Sequence, residues 1–103
     1  MILTTIGYVP HKEIIEHYGL VCGSTVRAKN AFKDLGAGLK NLVGGELKSY
    51  TALIEEARRE ALDRMEAQAR ELGANAVINV RFATSNIAQG ASELYVYGTA
   101  VKI

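Results

Sequence analysis

Tryptophan is absent from this sequence, and proline and cysteine occur once each, as Pro10 and Cys22. A lone cysteine excludes an internal disulfide, and a reducing compartment, the cytoplasm, is expected. No apolar run approaches the roughly 20 residues that a membrane-spanning helix needs. In MILTTIGYVPHKE no basic stretch precedes the apolar start, so a signal peptide is not expected either. Neither charge is in excess: 12 Lys and Arg stand against 11 Asp and Glu, a net charge of +1. That balance gives no electrostatic footprint for nucleic acid or an anionic membrane surface, and neither is expected as a partner. Repeats, low-complexity tracts and linkers are missing too. What is present is an apolar share of 49% beside 22% charged residues, enough for one packed core and a single domain over residues 1–103.

Hydrophobic periodicity orders the chain. Met1 to Thr5 reads as a short strand and Gly7 to Pro10 as a turn. From Glu13 to Val26 the apolar residues Ile14, Tyr18, Leu20, Cys22 and Val26 recur mostly at period two, which predicts a strand with that face covered. Gly19 and Gly23 within it suggest bulges or close backbone contacts. Over Asn30 to Val43 the spacing of Phe32, Leu35, Leu39, Leu42 and Val43 changes to a helical one. Gly44-Gly45 breaks that helix. Leu47 to Leu72 is the longest helical pattern, with a stripe of Leu47, Tyr50, Ile54, Ala57, Ala61, Met65, Gln68 and Leu72, and Gly73 stands where a C-terminal glycine is expected. Ala76 to Ala83 predicts a strand, Thr84 to Ser92 a loop, and Glu93 to Ile103 a last strand that is apolar on both faces. The order is α+β, with one antiparallel sheet and a long helix lying on it. One helix covers one face, so the other needs a partner, and a homo-oligomer is expected.

Few residues offer chemistry. Gly36, Gly38, Gly44 and Gly45 fall within ten residues, but a phosphate-binding loop of the form G-x-x-x-x-G-K-[ST] lacks its spacing, lysine and hydroxyl here. A dinucleotide fingerprint fails at Asn41. Packing and turn-making explain the glycines better than phosphate binding. His11, His17 and Cys22 are the candidate metal ligands. His17 and Cys22, five apart on a strand, are expected on opposite faces, and Cys22 is expected as a small core residue. The carboxylates from Glu55 to Glu71 read as a solvated helix face with i,i+4 ion pairs. Tyr95 and Tyr97 share a strand face with Glu93 and could stack a planar ligand or line an interface. Asn79, Arg81 and the Ser85 to Ser92 loop form the best candidate polar pocket. An enzyme built on that pocket, at an interface between copies, is the last-ranked alternative; no catalytic residue stands out, and an enzyme is not expected.

The strings LGAGLKNLVGGELKSYTALIEEARREALDRM, ARELGANAVINVRF and YGTAVKI closely resemble the YbjQ family of small prokaryotic proteins, which carries a heavy-metal-binding label. The resemblance covers essentially the whole chain, and NLVGGELKSY, LGANAV and YGTAV are its most specific parts. It implies a β-α-β-β, dodecin-like subunit with extra short strands, assembled into a ring, commonly a pentamer. It implies a metal ion or small molecule bound at subunit interfaces, or a ring acting through its assembly alone. It carries no catalytic residues and specifies no cofactor. Cys22 in LVCGS departs from the family, in which a basic residue often precedes that glycine.

Overall fold

The computed structural model describes residues 1–28, 45–88 and 91–103. The chain runs β1 (Ile2–Leu3), β2 (Glu16–Ala28), α1 (Gly45–Glu71), β3 (Ala76–Ala88) and β4 (Ala91–Lys102). The strands form one sheet in the order β1-β3-β4-β2. The helix expected over residues 30–43, with Gly36, Gly38 and Gly44, lies outside the described residues.

The sheet is mixed rather than antiparallel. β4 pairs antiparallel with both β2 and β3, but β1 runs parallel to β3, with Ile2 opposite Ala76 and Leu3 opposite Val77. Parallel neighbours need a long connection. Here β1 and β2 lie at opposite edges, and the segment joining them crosses the sheet. Val9 on that segment is buried with Ala76, Ile78 and Val101, and Ile14 and Ile103 pack against the cluster. The second face of the sheet is therefore partly covered by the chain itself, where the sequence pattern predicts that a partner must cover all of it.

α1 covers the first face. Ala57, Ala61, Met65 and Ala69 are buried at four-residue intervals. Met65 and the alanines at 61 and 69 meet Val21, Val77, Val80, Val96 and Ala100. Small side chains let the helix sit close. A Cβ built on Gly23 would collide with the backbone of Ala61 and Met65. The helix ends in a Schellman arrangement: Ala74 N donates to Ala69 O (3.0 Å) and Gly73 N to Arg70 O (3.0 Å), with Gly73 at φ 92.

Two further expectations are corrected. Of the stretch expected as a loop from Thr84 to Ser92, the described residues 84–88 and 91–92 are strand. β3 runs to Ala88 and β4 restarts at Ala91, with Thr84, Ser85 and Asn86 paired to Leu94, Glu93 and Ser92. Ladder hydrogen bonds hold a hairpin arm whose side chains need not be apolar, so periodicity misses it. The covered face of β2 is also the other one. Val21, Gly23 and Thr25 are buried towards α1, whereas Leu20, Cys22 and Val26 are exposed. A bulge between His17 and Gly19, with Gly19 at φ 99, adds a residue and puts Tyr18 on the helix side with Val21.

Candidate functional site

The uncovered part of the second face is the most distinctive surface among the described residues. Cross-strand partners share a face, so the register places Leu20, Cys22, Ser24 and Val26 of β2 beside Thr99, Tyr97, Tyr95 and Glu93 of β4. Arg81 and Ala83 of β3 continue the same face opposite Tyr97 and Tyr95. Leu20 is 74% exposed, Val26 50% and Tyr97 39%. The rings of Tyr95 and Tyr97 lie 6.0 Å apart, tilted by 30°, a favourable aromatic spacing. Leucine, valine, a free thiol and two tyrosines thus form an apolar field in water. Its margin is β2, whose outer edge carries no strand among the described residues.

That edge is engaged at two points by α1. Cys22 N donates to Gln68 Oε1 at 2.7 Å, and Arg64 Nη1 donates to Ser24 O. Thr25, which is buried, donates from Oγ1 to Ala57 O at 3.2 Å. Gln68, the polar break in the predicted helix stripe, is there to reach the strand. Further along β2, Tyr18 donates from its hydroxyl to Glu16 Oε2 at 3.1 Å. Desolvation raises the phenol above its ordinary value of 10.0, and the hydrogen bond and negative charge of Glu16 add to the rise.

The model of the YbjQ family, described as "Putative heavy-metal-binding", matches residues 1–103. The chain belongs to the YbjQ family. It is 64% identical over 101 residues to a protein named UPF0145 from Hahella chejuensis, covering 98% of this chain and 97% of that one. An Archaeoglobus fulgidus protein of the same name is 54% identical over 103 residues, covering 100% and 95%. Among solved structures, a Pediococcus pentosaceus protein of unknown function, assigned to the DUF74 family, superposes with a TM-score of 0.64. At 18% identity, over 100% of this chain and 97% of that one, it shares the fold.

The family's label can be set against the residues present. Cys22 is exposed rather than in the core. His17 and Cys22 lie on the same face, not opposite ones, because the bulge at Gly19 changes the alternation. Their β4 partners, Val101 and Tyr97, are four residues apart, which is about 13 Å along a strand, too far to ligate one ion together. His11 sits at φ 63 in the segment that crosses the sheet. Among the described residues no three His, Cys, Asp or Glu side chains come together around a possible metal position. The described residues of one chain therefore do not fit a heavy-metal ion.

The polar pocket expected around Asn79 and Arg81 is occupied by the N-terminal segment. Arg81 Nη1 donates to Thr5 O at 2.7 Å and to Val80 O at 2.9 Å. Asn79 N donates to Ile6 O at 3.0 Å. Asn79 stands at φ 55 in a second bulge, between Ile78 and Arg81. The supposed loop partner from Ser85 onward runs away from Arg81 along the hairpin. Among the described residues no helix is long and apolar enough to cross a membrane.

Proposed function

We propose that this protein is one subunit of a closed homo-oligomeric ring, a pentamer on the family resemblance, and that its interfaces are where function resides. The observation that carries this reading is the apolar field of Leu20, Cys22, Val26, Tyr95 and Tyr97 beside the outer edge of β2, which has no strand partner among the described residues. Apolar patches and free strand edges both favour association. The outer edge of β3 supports it as well: β1 pairs only with Ala76 and Val77, and the N-terminal segment reaches Asn79 and Val80. A subunit with two different edges left open among its described residues makes heterologous contacts, and these end either in a ring or in a filament.

The ring is proposed to bind rather than to catalyse. A heavy-metal ion or small molecule would be held between subunits, where copies of Cys22 and the tyrosines meet new neighbours. A ring without any ligand is the second reading, favoured by the separation of His11, His17 and Cys22 within one subunit. Native mass spectrometry of protein purified without chelator or affinity metal counts subunits and bound ions together. Five subunits with a fixed number of ions support the first reading, a ring of bare polypeptide supports the second, and a monomer refutes both.

A further inference from the structure

We propose that Arg64 and Gln68 form a detachable cap on the outer edge of β2, which a strand of a second copy must displace to pair there. The inference rests on the assembly reading and adds its control element. β2 is an outer strand, so the backbone groups that face away from β4 have no ladder partner among the described residues. Two of them are held by α1: the Cys22 N–H by Gln68 Oε1, and the Ser24 carbonyl by the Arg64 guanidinium. Both side chains lie one turn apart on the same side of the helix. They flank Met65, whose backbone lies directly over Gly23. The missing Cβ at position 23 is what lets the helix come near enough for both to reach past its margin to the strand.

A free edge accepts an extended chain through those same donors and acceptors. While Gln68 holds the N–H and Arg64 the carbonyl, the stretch from Cys22 to Ser24 cannot extend the ladder. The cap thus stabilises the separate subunit and opposes pairing with unrelated extended segments. A second copy overcomes it because it covers the neighbouring apolar field at the same time. Both long side chains are then released to water, and their two backbone partners bond to the incoming strand.

The test compares the full-length protein with R64A/Q68A and with Q68E in a sedimentation dilution series. Alanine keeps the helix and removes both caps without adding apolar surface. Glu at 68 keeps an acceptor for the Cys22 N–H and gives it charge, which strengthens that bond. R64A/Q68A should dissociate at a concentration about tenfold lower than wild type, the effect of two hydrogen bonds no longer broken on assembly. Q68E should dissociate at a higher concentration, also in high salt where simple repulsion is screened. Unchanged or weaker assembly of R64A/Q68A, or shifts of the two variants in the same direction, would overturn the cap. If wild type itself stays monomeric, the assembly reading fails and the cap fails with it. If wild type assembles and only the variant shifts are wrong, the cap alone is at fault.

Discussion

Gly23 is the position at which one added carbon is felt most. Its missing Cβ is the space in which α1 rests on β2. Gly23→Ala should cost about 1–3 kcal/mol, the usual range for overpacking a tight contact, read by urea denaturation; unchanged stability would mean that the helix is free to lift. Tyr18 makes a second residue-scale prediction. Its phenol is raised in the folded protein, by desolvation first and then by Glu16, so the neutral form belongs to the fold. The associated stability is fully present below the unfolded value of 10.0 and is lost as pH rises through the higher folded value. Thermal unfolding followed from pH 9 upward should show a loss of stability that Tyr18→Phe does not share. At this scale the sequence is legible where spacing is regular and misleading where a bulge intervenes. Cys22 leaves the core side and shares an exposed face with His17, because one extra residue at Gly19 reverses the alternation. No single-residue pattern announces that shift, although Gly19 hinted at it.

Among the elements, α1 was the most legible. The helical stripe predicts Leu47 to Leu72, and the helix spans Gly45–Glu71. Its stop signal holds in detail, with Gly73 in the left-handed region. Gly73→Ala should cost about 1–2 kcal/mol through backbone strain alone, since the space around it is open to ordinary contact with Tyr18 at 3.6 Å. Gly73→Asn should cost less, because asparagine visits that conformation; equal losses for the two, measured by thermal unfolding, would point to sterics instead. The hairpin arm was less legible. Thr84, Ser85 and Asn86 have turn-like identities, yet they pair along β4. Strand pairing is a non-local choice, and a polar arm is stabilised by its ladder rather than by its side chains. The parallel placement of β1 was not legible either. Two residues carry no direction, and the crossing segment is anchored by Val9, buried with Ala76, Ile78 and Val101, and by Ile14 packed against them.

Over the whole molecule, the described residues of one chain cover one sheet face with a helix and part of the other with the N-terminal segment. The remainder stays apolar and open. The Cα radius of gyration is 16.7 Å, against about 13 Å for a compact chain of this length. The principal extents are 54 × 29 × 18 Å. The last strand, apolar on both faces, predicts a partner, but no pattern in the sequence says which surface of β2 would meet it. A net charge of +1 provides little repulsion between copies. The central claim, that the chain works as an assembly, is tested most directly by sedimentation across a hundredfold dilution with folding monitored by circular dichroism. The account predicts a single closed oligomer of fixed size that persists into the low micromolar range. A folded 11.1 kDa species persisting up to tens of micromolar would contradict it.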